Sequence, residues 1–82
     1  NPFNPSTTIK YSIKTNAHVS LKIYNVAGQL VRTLVDGDMN AGAYTETWNG
    51  RSNSANPVSS GVYFYKLVTK NFSMTKKMVL LR

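Results

Sequence analysis

The chain has no cysteine. No disulfide can staple it, and Cys-based metal sites and thiol catalysis are excluded. Acidic residues are scarce: three Asp and Glu stand against ten Lys and Arg, for a formal net charge of +7. Asp36, Asp38 and Glu46 are the only side-chain carboxylates, which leaves little for paired-carboxylate catalysis. There is one histidine, His18. A lone imidazole lacks the partners that zinc or a catalytic triad needs, so a turn position is expected for it. No Gly-rich phosphate loop, zincin motif or Gly-x-Ser-x-Gly elbow occurs. Long apolar runs are missing too, and nothing approaches the ~20 residues of a membrane-spanning helix. No window carries helical periodicity, and no internal repeat is present.

What the chain does have is β pattern. Its 82 residues make one small domain, whose core gives only marginal stability unless it packs well. Thr7–Lys14 alternates, with Ile9, Tyr11 and Ile13 on one face and Lys10, Ser12 and Lys14 on the other. Val19–Val26 repeats this, setting Val19, Leu21 and Ile23 against Ser20, Lys22 and Tyr24. Asn16-Ala17-His18 reads as the connection between them. Ala27-Gly28-Gln29 reads as the next turn, where Gly28 supplies positive φ. Leu30–Val35 is a third strand. Asp36-Gly37-Asp38 and Asn40-Ala41-Gly42 punctuate a longer loop. Ala43–Trp48 resumes the strand pattern, residues 49–61 are irregular, and Val62–Lys70 pairs through Asn71 with Phe72–Leu81.

About seven short strands with regular turn signals predict an all-β fold, an antiparallel sandwich of the immunoglobulin type. Trp48 is the expected centre of its core, with Leu21, Ile23, Tyr65 and Leu67 around it. Tyr63 shares the face of Tyr65 and Leu67, while Phe64 and Val68 share the other. Both faces are apolar, as in a central strand. The period of two puts Glu46 beside Trp48, and an unpaired buried carboxylate is costly. Either Glu46 reaches water at a sheet edge, or it pairs with a cation such as Arg51.

Three other features invite functional readings. Asp36 and Asp38 could begin a calcium loop with Asn40, but no downstream Glu completes the cage, and turn-forming aspartates are the plainer reading. Tyr63-Phe64-Tyr65 beside Lys66 has the make-up of a nucleic-acid platform. The helices of an RNA-recognition module are missing, however, and core packing suits these rings better. Tyr11, Tyr24 and Tyr44 are the candidates for surface rings of the kind that stack on sugars. The lysines mostly alternate with apolar residues, as on the solvated face of a sheet. No nucleic-acid partner, membrane span or cofactor is implied.

Five segments in order carry a resemblance. They are Asn1-Pro2-Phe3-Asn4-Pro5-Ser6-Thr7-Thr8-Ile9, Tyr24-Asn25-Val26-Ala27-Gly28-Gln29, Thr47-Trp48-Asn49-Gly50, Gly61-Val62-Tyr63-Phe64-Tyr65-Lys66-Leu67 and Lys76-Lys77-Met78-Val79-Leu80-Leu81. Together they resemble the type A carboxy-terminal sorting domain of the type IX secretion system. The pattern is also similar to the immunoglobulin-like domain of flagellar hook-capping proteins. Glu46 departs from it, standing where relatives often carry an apolar or small polar residue.

The resemblance implies a non-catalytic export address, spanning residues 1–82 at the end of a longer secreted protein, behind an N-terminal cargo domain. The chain opens without Met and closes on a basic-flanked apolar strand, which fits that expectation. The implied partners are the type IX translocon, its shuttle proteins and a surface sortase-like peptidase. The implied location is the cell surface or medium, reached through the periplasm and outer membrane. Gly61, Tyr63, Lys76, Lys77, Met78, Val79, Leu80 and Leu81 would carry recognition, with strand addition at the last strand as the physical route. Lys76, Lys77 and Arg82 either steer an acidic receptor or act as gatekeepers against edge aggregation. Two other readings are a structural immunoglobulin-like assembly or spacer module and a carbohydrate-binding module.

Overall fold

A computed structural model describes residues 6–81. The opening Asn-Pro-Phe-Asn-Pro of the first motif and Arg82 lie outside the described residues. Six strands follow one another: β1 (Thr7–Ile13), β2 (Ala17–Asn25), β3 (Leu30–Met39), β4 (Gly42–Trp48), β5 (Gly61–Thr69) and β6 (Phe72–Leu80). They form an antiparallel two-stranded sheet, β1-β4, and an antiparallel four-stranded sheet of order β3-β2-β5-β6.

The inward rows of both sheets meet as the alternation predicts. Ile9, Tyr11 and Ile13 of β1 are buried, as are Val19, Leu21 and Ile23 of β2, Leu67 of β5 and Leu80 of β6. Trp48 has no exposed surface and stands at their centre. Its indole Nε1 donates to the Arg51 carbonyl at 2.9 Å, so the ring is buried without leaving its polar atom unsatisfied. Tyr65 faces the core but is only half-buried, and Tyr63 takes the deeper place. Tyr65 lies opposite exposed Lys76 on β6, where cover thins, whereas the Tyr63 ring meets Trp48 edge-on at 5.1 Å.

Six strands, and not about seven, build the sandwich because β3 absorbs what the sequence marks as a loop. Asp36-Gly37-Asp38 continues β3 in register with β2, where Gly37 opposes Val19 and the two aspartates oppose Ser20 and His18. Cross-strand pairing there satisfies the backbone groups that a loop would leave to water. His18 likewise belongs to β2 and not to a turn. Two register shifts between β2 and β3 leave Leu34 and Val31 without a partner of their own. These bulges turn Val31, Leu34 and Val35 all toward the core, although strict alternation would split them.

The connections are pinned by asparagines. Asn25 Oδ1 accepts from the amides of Ala27 and Gln29, both at 3.0 Å, and Gly28 takes φ 82°. The Asn16 side chain accepts from the Ala41 amide at 2.8 Å where the chain crosses from β3 to β4. Glu46 is half-buried on β4, an edge strand, and no ion pair to it occurs among the described residues. The Arg51 guanidinium donates instead to the Ala55 carbonyl at 3.0 Å. Glu46 therefore follows the edge reading.

Candidate interaction surfaces

The residues expected to carry recognition do not form one surface. Tyr63 is buried and donates its hydroxyl to the Ser59 carbonyl at 2.7 Å. Leu80 is buried, Met78 is half-buried against the core, and both point inward. Gly61 opens β5 at φ 153°, a backbone value that favours glycine, and lies opposite Leu80. Lys76, Lys77, Val79 and Leu81 are exposed. Strand periodicity causes the division, since successive side chains of β6 point to opposite faces.

The two edges of the larger sheet differ. On the β3 edge, the Asn53 amide donates to the Val31 carbonyl at 2.9 Å, and Asn53 Oδ1 accepts from the Thr33 amide at 2.9 Å. Asn53 thus imitates one residue of an added strand and closes the bulged stretch. The β6 edge has no strand partner among the described residues. It carries Lys76 on the core side and Lys77 on the other, a common protection of open edges.

The outer face of the larger sheet has an ordered composition. At the end carrying the β2–β3 turn, Val62 opposes Val79, and Val26 projects from the turn. In the next row, Leu30, Tyr24, Phe64 and Lys77 run across all four strands. In the row after that, Thr33, Lys22, Lys66 and Thr75 do the same. Lys22 and Lys66 are direct cross-strand neighbours, an unfavourable placement of like charges. Asp36 and Asp38 come only at the far end, opposite Ser20 and His18.

There the imidazole is clamped. His18 Nε2 lies 2.8 Å from Asp36 Oδ1, and Nδ1 lies 3.2 Å from Asp38 Oδ1. Two carboxylates accept best when both ring nitrogens carry protons. The hydrogen bond to Asp36, and then that to Asp38, raises the His18 pKa above its ordinary 6.5. This arrangement replaces the turn expected of the two aspartates. Asp36 and Asp38 occupy a strand and engage an imidazole, and among the described residues no group of three or more metal-ligating side chains gathers.

The tyrosines expected at the surface do not converge. Tyr11 is buried, stacked on Tyr44 at 5.6 Å inside the smaller sheet. Burial, followed by the nearby Glu46 and Tyr44, pushes its hydroxyl above the usual phenol range. Tyr44 donates to the Asn40 carbonyl at 2.6 Å. Tyr24 alone lies on an outer face, half-buried. Ile9 and Ile13 make the β1 face inward, and Tyr11 follows them by period. A sugar-stacking platform of these three rings is therefore not built.

The exposed apolar end of the larger sheet was not legible as a site, because its members are far apart in sequence. Only the fold brings Val26 and Leu30 to the same end as Val62 and Val79. The one local hint is Val26, a β-branched residue within a turn.

The FlgD Ig-like domain model matches residues 4–73. The chain belongs to this family. The match ends inside β6, so Lys76 through Leu81 lie beyond it. The fold is similar to that in the crystal structure of FlgD from P. aeruginosa, with a TM-score of 0.70 at 20% identity. That similarity covers 92% of this chain and 59% of the other, so the chain spans well under two thirds of that protein. No curated protein matches the chain.

Proposed function

We propose that the chain is a structural immunoglobulin-like module, a non-catalytic domain that docks or spaces a larger protein within an assembly. Family membership over residues 4–73 is the observation that supports this most. The sheet faces and edges of the described residues support it, since such surfaces are what partners cover or extend. Of the readings open to the sequence, assembly or spacing requires the fewest residues beyond the family match.

The export-address reading is a second proposal, favoured by β6. Its outer edge lacks a strand partner among the described residues, and Lys76, Lys77, Val79 and Leu81 are exposed along it. A translocon, its shuttle proteins or a surface peptidase would meet these groups, and the location would be the cell surface or medium.

A fusion of residues 1–82 to a periplasm-directed fluorescent protein separates the two. It is expressed in a type IX-competent host and in a translocon-deficient strain, beside a sorting domain native to that host. The assembly reading expects a stable, folded fusion held in the periplasm while the native domain is exported. Translocon-dependent appearance outside the cell would select the export-address reading.

A further inference from the structure

Among the described residues, four of the five large hydrophobic side chains that stand exposed gather at one end of the larger sheet: Val26 (74% exposed), Leu30 (47%), Val79 (55%) and Leu81 (73%). Phe72 is the exception, at the opposite end of β6. The register places Leu30 and Val79 on the outer face beside the Tyr24–Phe64 pair, and Val26 and Leu81 directly follow the ends of β2 and β6 there. Lys77 closes the Tyr24–Phe64 row on β6, and Lys22 and Lys66 stand in the next band. Among the described residues no side-chain carboxylate occurs in either band, and the nearest on this face is Asp36, one row beyond Lys22.

Stability of the isolated domain explains neither feature. Exposed valines and leucines on a strand face gain nothing from burial that does not occur. Lys22 and Lys66 repel as direct neighbours. A partner that covers the apolar end and brings carboxylates to the lysines relieves both. The turn that holds Val26 is fixed by three hydrogen bonds to the Asn25 side chain, counting its donation to Gln29 Oε1 at 2.9 Å. The apolar end is thus presented on a rigid frame, which lowers the ordering cost of binding.

We propose that this outer face docks an acidic protein segment whose apolar side chains cover Val26, Leu30 and Val79 and whose carboxylates meet Lys22, Lys66 and Lys77. The charge complementarity selects acidic over basic partners. The exposed side chains around the half-buried Tyr24–Phe64 pair are aliphatic, which suits apolar side chains of a protein better than stacked bases. The inference rests on the docking reading and gives it a surface and a partner chemistry.

The test is titration of the ¹⁵N-labelled domain with a synthetic peptide alternating Leu and Glu, followed by amide chemical shifts. A peptide with Lys for Glu, anionic vesicles and a single-stranded oligonucleotide run in parallel. The expected result is saturable shifts confined to the two bands with the Leu-Glu peptide and none with the Leu-Lys peptide. Val79→Ser and the pair Lys22→Gln, Lys66→Gln should each weaken binding by about tenfold while the remaining amides keep their positions. Saturable shifts along the β6 edge or on the smaller sheet would overturn this surface and leave the docking reading standing. Binding to vesicles or oligonucleotide alone, or no saturable binding at all, would overturn the protein-partner assignment as well.

Discussion

The two sheets solve different problems with the same alternation. The smaller one has two strands, and an isolated pair is marginal in water. Its inward row therefore carries large rings, Trp48, Tyr11 and Tyr44, alongside Ile9 and Ile13. Its outward row is small or polar: Thr8, Lys10 and Ser12 on β1, Ala43, Thr45 and Thr47 on β4. The larger sheet has four strands and two central ones, β2 and β5, that are paired on both sides. It nevertheless keeps an apolar and basic outer face. The lesson is that outward apolar residues are concentrated on the sheet that needs them less for folding, which points to recognition.

The two sheets depend on each other most at their shared interior. Trp48→Ala removes the ring that joins β4 to Tyr63, and a cost of about 3–5 kcal/mol is expected in denaturant unfolding. Hydrogen exchange should speed up first in β1 and β4, the sheet with less pairing of its own. A smaller loss, about 1–2 kcal/mol, is expected for Asn25→Ala, which frees the turn that presents Val26. The same change should weaken any binding at the outer face, because the apolar end loses its frame.

A weaker effect comes from the far end of that face. The His18 pKa is raised in the folded domain, so protonation favours the fold. The contribution is complete below the ordinary value of 6.5 and is lost as pH rises through the folded value. Thermal midpoints measured across that range should fall slightly with rising pH, and His18→Gln should flatten the dependence. The smallest effects on stability belong to the two outer faces themselves. Val79→Ser and Thr45→Ser should each stay within about 0.5 kcal/mol of the parent. A larger loss for Val79→Ser would assign that side chain to folding and remove the contrast between the sheets.

Much of the fold was legible because alternation is a local signal. Ile9, Tyr11 and Ile13, then Val19, Leu21 and Ile23, faced inward as the period of two requires. Trp48 was recognisable as the core centre from its size and lack of rivals. The course of β3 was not legible, because Asp-Gly-Asp is a turn signal until His18 supplies a partner across the ladder. The two bulges were hidden for a similar reason: Leu34 and Val35 both face the core only because the register slips. The site was harder still. Residues placed together by the terminal motif, Met78 through Leu81, are divided between core and solvent. Residues gathered at the apolar end come from three separate stretches of chain, which no spacing rule connects.

If the outer face of the larger sheet is a docking surface, binding of an acidic partner must depend on Lys22 and Lys66 and not on Lys10 of the smaller sheet. Titration of the domain with the alternating Leu-Glu peptide, compared between the pair Lys22→Gln, Lys66→Gln and the control Lys10→Gln, measures this most directly. Loss of binding in the paired variant with binding kept in the control is the expected result. Equal binding by both, or loss in the control alone, would contradict docking through this face.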